Sequence, residues 1–180
     1  MDTDTSHITI SDLHSVNRKE EALAILAQIT RIEKKTFPAK EAFQFSDDLW
    51  KKKPNTRVIY ATSKNAPPTA APTAAGKDAN TIVAYAVYVR QKSTALLHKV
   101  CVAEPYRGRG VGRLLMQYVR HRLEREGCQF IQLWVDRDRA PARALYARCG
   151  FEDREVVPDY YALGRTGVRM LLAIGLEGAS

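Results

Sequence analysis

The stretch from Ala95 to Glu126 leaves this chain few ways to fold. Its opening residues, Ala95–Ala103, include Leu96, Leu97, Val100, Cys101 and Val102. A run so short, apolar and partly β-branched reads as a buried strand. Further on, Val111, Leu114, Leu115, Tyr118 and Leu123 recur close to i, i+3, i+4, i+7 spacing, with Arg and Glu between them. That is the pattern of an amphipathic helix. Between the two lies Tyr106-Arg107-Gly108-Arg109-Gly110-Val111-Gly112. A strand, a turn with three glycines and a helix start make an anion site. Glycines let backbone N–H groups converge, and the first helical turn adds unpaired N–H groups with a partial positive charge. Arg107, Arg109 and Arg113 add full charges.

The 180 residues suit one domain with a sizeable core, and 45% hydrophobic with 27% charged content is globular. No apolar run approaches the roughly 20 residues of a membrane span, and the polar, acidic first fifteen residues do not resemble a signal peptide. Cys101, Cys128 and Cys149 are odd in number and far apart, so they read as reduced thiols of a cytoplasmic or also nuclear protein. His7, His14, His98 and His121 lack ligand spacing, and no metal is expected. A formal charge of +8 favours acidic ligands, RNA or ribosomes over polycations. The basic residues are dispersed, with no signature of sequence-specific nucleic-acid reading.

The spacing predicts a disordered start over 1–7, a strand at His7–Ile10 and a helix over Asn17–Lys35 with the stripe Ala22, Ile25, Leu26, Ile29, Ile32. Phe37-Pro38 ends that helix, and a second, short one runs from a Ser46 cap to Lys53. Strands follow at Arg57–Thr62 and Thr81–Arg90, separated by an Ala/Pro/Thr/Gly-rich flexible insertion over 63–80. After the central strand and helix come a strand at Phe130–Val135, a helix at Arg139–Arg148 and a strand at Phe151–Val157. The turn Pro158–Gly164 and a last strand, Val168–Ile174, complete the domain over 8–174. The fold class is α/β: a mixed, twisted sheet of about seven strands with four helices on its faces. Residues 175–180 are a tail whose abrupt end suggests a piece of something longer.

Which anion the loop holds is narrowed by what it lacks. There is no Gly-Lys-Ser/Thr of a Walker loop, and Arg113 occupies the third glycine position of a dinucleotide fingerprint. The remaining Arg-x-x-Gly-x-Gly, written as Arg107, Gly110 and Gly112, resembles the pyrophosphate-binding motif of the GNAT acetyltransferase superfamily. Ala142, then Ala144-Leu145-Tyr146-Ala147-Arg148-Cys149-Gly150-Phe151, resembles a second region of that family, and the element order matches from His7 to Ile174. Arg139 stands where the family usually has Asn.

The resemblance implies acetyl-CoA as cofactor. Its pantetheine would pair with the backbone of Val100, Cys101 and Val102, where the strand splays from Phe130–Val135. Its pyrophosphate would meet the backbone of Arg107, Gly108, Arg109, Gly110, Val111 and Gly112, with Arg139 nearby. Acyl transfer to an amine also needs a base for the amine and an acid for the leaving thiolate. Tyr146 holds the place of the family's frequent general acid, or is an aromatic packing residue. For the base the residues offer His98, with Glu104, Asp136, Asp138 or a water relay as alternatives.

Within the family the closest resemblance is to N-terminal acetyltransferases of the NatE catalytic-subunit and bacterial ribosomal-protein type. They carry a Phe-Pro step after the first helix, here Phe37-Pro38, and a Tyr-Tyr pair in the last hairpin, here Tyr160-Tyr161. In those relatives Trp134's position is often Glu or His and Leu96's a Tyr, so their Tyr/His pair is not carried over. The implied acceptor is a peptide or protein N-terminus with Met or another apolar first residue, lined by Phe37, Pro38, His98, Trp134, Tyr160 and Tyr161. Association with a ribosome or an acetyltransferase complex is a further expectation. Two rival readings stay open: a GNAT enzyme for small amines or lysines, with Glu41, Asp47 and Asp48 in the groove, and a CoA-binding scaffold without catalysis.

Overall fold

The computed structural model describes residues 4–64 and 81–175. Seven strands are formed there: β1 (Ile8–Asp12), β2 (Thr56–Ser63), β3 (Thr81–Gln91), β4 (Thr94–Val102), β5 (Phe130–Asp136), β6 (Glu152–Ala162) and β7 (Arg165–Ala173). The α-helices among these residues are α1 (Lys19–Thr36), α2 (Val111–Arg125) and α3 (Ala140–Arg148). The strands follow the order β1-β2-β3-β4-β5-β7-β6. β4 and β5 are parallel, as a crossover through α2 requires, while β1–β2, β5–β7 and β6–β7 are antiparallel. The α/β class and the mixed seven-stranded sheet are those expected.

Three local expectations need correcting. The segment Ser46–Lys53 is a 3-10 turn, Asp47–Leu49, and Ser46 makes no side-chain cap bond. Only Leu49 there is buried, with Trp50 Nε1 donating to Val16 O at 2.8 Å, so no apolar stripe supports a longer helix. β2 runs one residue past Thr62 to a buried Ser63, paired with Ile8. β6 continues through Pro158 to Ala162 rather than turning at Pro158. It is the outermost strand, where a missing N–H costs no ladder bond, and a register shift after Val157 absorbs the irregularity. The rest of the insertion, 65–80, and residues 1–3 and 176–180 lie outside the described residues. Asp4–His7 form a turn closed by Ile8 N–H donating to Thr5 O at 3.0 Å.

The chain divides into two compact units. One holds the chain up to Val87 together with Lys99–Leu115; the other holds Tyr88–His98 and the chain from Met116 on. In the first, the stripe of α1 packs with Leu13, Leu49, Val58, Tyr85, Val87 and Cys101. α1 follows the macrodipole, with Glu20 and Glu21 in its first turn and Lys34 and Lys35 in its last. Its buried stripe ends in Glu33, at 1% exposure, rather than in the half-buried Ile32. In the second unit the alternating residues Ile131, Leu133 and Val135 of β5 and Val168, Met170 and Leu172 of β7 are buried. None of the three cysteines is in a disulfide, and Cys101 and Cys128 are buried. Among the described residues no helix is long and apolar enough to cross a membrane.

Candidate functional site

The glycine loop grows out of β4 in the first unit. β4 pairs with β5 only from Thr94 to Leu97, opposite Phe130 to Leu133, although β4 runs on to Val102. Ala103 N–H donates to Val83 O of β3 at 2.8 Å. Alternation along the strand then turns the N–H and C=O groups of Val100 and Val102 away from β3. Beyond Leu97 that edge of β4 lies outside the β4–β5 ladder, which is the backbone an extended ligand chain needs.

The segment Glu104–Tyr106 forms a 3-10 turn with Pro105, anchored by Tyr106 at 5% exposure. Two glycines then adopt the left-handed region, Gly108 at φ 73° and Gly110 at φ 81°. A Cβ on Gly108 would meet nothing within 4 Å, so conformation and not space is what glycine provides there. The first bond of α2 runs from Leu114 N–H to Gly110 O at 3.1 Å. The amides of Val111, Gly112 and Arg113 therefore precede the helical ladder and face outward. Arg107, Arg109 and Arg113 are exposed, and Arg107 Nε donates to Val102 O at 2.9 Å. Converging amides, a helix N-terminus and three guanidinium groups fit a diphosphate well.

Phe37 and Pro38 lie in the same unit. Phe37 is the C-cap of α1 and is 8% exposed, whereas Pro38 is exposed. The ammonium of Lys99 sits 3.4 Å from the centre of the Phe37 ring and 3.2 Å from Glu33 Oε1. Cys101 points inward, its Sγ 3.8 Å from Thr36 Oγ1, and burial pushes its thiol pKa up. Only its backbone is then available to a ligand.

The second unit holds Trp134, Tyr160 and Tyr161. Trp134 of β5 stacks on Tyr160 of β6, with ring centroids 4.2 Å apart and planes 7° from parallel. Tyr161 meets Tyr160 edge-on at 4.9 Å and 85°. Consecutive strand residues normally face opposite ways, but β6 is irregular between Val157 and Ala162, with Asp159 at φ 58°. Beneath the stack, a Cβ on Gly167 would stand 2.7 Å from Tyr160 ring carbons. Arg165 lies 5.4 Å from the Tyr161 ring and grips Asp136 Oδ2 with Nε at 3.0 Å and a terminal nitrogen at 2.7 Å. Burial opposes the charge on Asp136, but the Asp138 amide and the Arg165 guanidinium outweigh it and hold the carboxyl below its ordinary pKa. Asp136 is thus committed to structure rather than poised as a base.

His98 is exposed on β4, and desolvation lowers its imidazole pKa below the ordinary value. Tyr146 of α3 is 8% exposed and packs at 59° against Phe151, ring centroids 5.8 Å apart. Arg139 is the N-cap of α3 and makes no side-chain cap bond, as expected of a side chain without an acceptor. Trp134, Tyr160 and Tyr161 come together as the sequence implied. Glu33 and Lys99 meet Phe37, and Arg165 and Gly167 meet Tyr161 and Tyr160, contacts that the sequence did not announce. The signal for Glu33 was available: a carboxylate four residues after Ile29, on the apolar stripe.

A model of the acetyltransferase (GNAT) family matches residues 26–151. The chain is 42% identical over 59 residues to the mycothiol acetyltransferase of Corynebacterium jeikeium, covering 33% of this chain and 17% of that protein. It is 30% identical over 83 residues to the ribosomal protein bS18 alanine N-acetyltransferase of Haemophilus influenzae, covering 46% and 56%. The chain thus spans less than two thirds of the length of either curated relative. The crystal structure of the S18-alanine N-acetyltransferase from Escherichia coli superposes with a TM-score of 0.68 at 23% identity, covering 96% of this chain and 97% of that one. That last likeness is one of fold.

Proposed function

The chain belongs to the acetyltransferase (GNAT) family, and from that premise we propose that it uses acetyl-CoA to acetylate the α-amino group of peptide or protein N-termini. Bound here, acetyl-CoA supplies a thioester whose acyl carbon an amine can attack. The amides of Arg107–Gly112 and the guanidinium groups of Arg107 and Arg109 would hold its diphosphate, and the backbone edge of Val100 and Val102 would hold its extended arm. A new N–C bond replaces the C–S bond. His98, or water, takes the amine's proton, and the Tyr146 phenol supplies one to the departing sulfur. The low imidazole pKa keeps His98 neutral and able to accept.

The observation that carries the acceptor assignment is the aromatic slab of Trp134, Tyr160 and Tyr161. Stiff rings with polar tips suit a peptide backbone and an apolar first side chain such as Met. The likeness to the Haemophilus influenzae enzyme supports the same reading, and the net charge of +8 supports work beside a ribosome or within an acetyltransferase complex. The test is mass spectrometry of an N-terminal peptide library with acetyl-CoA. Met-initiated peptides should be modified on the α-amine; modification confined to lysine side chains or free small amines would reject the acceptor. The segment similar to mycothiol acetyltransferase favours a small-molecule acceptor as second reading, and small amines in the same screen decide between the two.

A further inference from the structure

Beyond Leu97 the β4 strand lies outside the ladder with β5, yet contacts within the first unit fix it from its other sides. β3 is its neighbour in the sheet, and Ala103 N–H donates to Val83 O at 2.8 Å. Lys99 and Cys101, two residues apart, present their side chains to one face. Glu33 and Thr36, three residues apart at the end of α1, share one face of the helix. The two spacings match, and two contacts result. Lys99 places its ammonium 3.2 Å from Glu33 Oε1, and the Cys101 thiol donates to Thr36 Oγ1 at 3.8 Å. Glu33 is the stronger anchor. At 1% exposure its carboxylate persists only with donors around it. Besides Lys99 these are Phe43 N–H, 2.8 Å from Oε1, and the buried Tyr85 hydroxyl of β3, which donates to Oε2. Burial holds the Tyr85 phenol pKa far above its ordinary value, so it stays a donor. Lys99 has little freedom, being 15% exposed with its ammonium also against the Phe37 ring. The Glu33 carboxylate thus ties α1, β3 and β4 together.

We propose that Glu33, acting through Lys99, is a positioning residue that sets the unpaired stretch of β4 so that the backbone edge of Val100 and Val102 takes the pantetheine arm of acetyl-CoA. This rests on the cofactor placement proposed above. Val100 lies between the two clamped residues, with its N–H and C=O turned away from β3. A strand paired on one side only loses freedom when an extended ligand joins it, and that ordering opposes binding. With Lys99 and Cys101 already fixed on α1, less is left to order. The diphosphate loop has its own supports, in buried Tyr106 and the start of α2, so the clamp acts on the arm more than on the nucleotide.

Dephospho-CoA is ADP carrying the pantetheine arm, so the ratio of its affinity to that of ADP reads the grip on the arm. Calorimetry on wild type, Lys99→Met and Glu33→Gln measures both ligands. Wild type should bind dephospho-CoA more tightly than ADP. Lys99→Met keeps the aliphatic stem and removes the charge. It should weaken dephospho-CoA by about tenfold and leave ADP within about twofold. Glu33→Gln should shift the ratio in the same sense. An unchanged ratio in the variants would overturn the proposal. So would an equal weakening of both ligands, which marks a general disturbance of β4, or a loss in Lys99→Met that Glu33→Gln does not share. Should Lys99→Met fail to fold, Glu33→Gln carries the comparison against Lys99→Arg, which should keep the wild-type ratio. Wild type that binds the two ligands alike would sink the arm placement itself, and the positioning role with it. A wild type that prefers dephospho-CoA, with variants that share its preference, sinks the positioning role alone.

Discussion

The indole of Trp134 lies flat on the phenol of Tyr160, centroids 4.2 Å apart and planes 7° from parallel. The two residues are on different strands with β7 between them in the sheet order, so the stack spans a neighbouring strand. What lets it do so is Gly167 of β7, whose missing side chain leaves room for the Tyr160 ring.

That wall can be tested as a pair. Trp134→Ala and Tyr160→Ala should each raise the acceptor KM more than that for acetyl-CoA. A double-mutant cycle on unfolding free energy should show a coupling of about 1 kcal/mol. Additive effects would show that the rings do not support one another.

Gly167→Ala places a methyl group where Tyr160 ring carbons stand 2.7 Å away. The ring must leave or the strands must shift. We expect a loss of roughly 1–3 kcal/mol in unfolding free energy and a change in Trp134 fluorescence as the stack opens. Unchanged stability and emission would mean that the Tyr160 ring does not rest there in solution.

The pH dependence of kcat/KM follows from His98. Its pKa is lowered by desolvation, so the neutral, proton-accepting form persists below the ordinary value of about 6.5. With His98 as base, the rate should be level through neutral pH and fall only on the acid side of that value. His98→Gln should remove this limb. An acid limb centred above neutrality, or one that survives in the variant, excludes the role.

Asp136 has a lowered pKa, so the folded state binds its proton less readily than the unfolded chain. Its stabilisation is therefore present above the unfolded value of about 3.9 and is lost as pH falls through the lower folded value. Arg165→Met should cost about 2 kcal/mol at neutral pH by leaving the carboxylate short of its partner. The gap from wild type should narrow in acid. A gap independent of pH would assign Arg165 to packing alone.

How far the sequence could be read depended on whether a feature was local. The loop from Arg107 to Gly112 was legible because strand, glycines and helix start are contiguous, and each has its own signature. So was the α1 stripe, up to its last turn. Glu33 there escaped because its partners, Phe43, Tyr85 and Lys99, come from three other segments. Gly167 escaped for the same reason: its role depends on a ring in another strand, and no spacing rule records that. The short helix at Ser46–Lys53 failed differently. A cap residue and a following Pro marked its ends, but between them only Leu49 found a core to enter.

Arg107 spends one of its nitrogens on Val102 O, at 2.9 Å, and leaves its fork free to turn outward. A lysine could carry the charge but not this tether in the same planar geometry. The consequence is mechanical. A pull on the guanidinium is also a pull on the last carbonyl of β4, so under the proposed function capture of a phosphate at the loop would be felt along that strand.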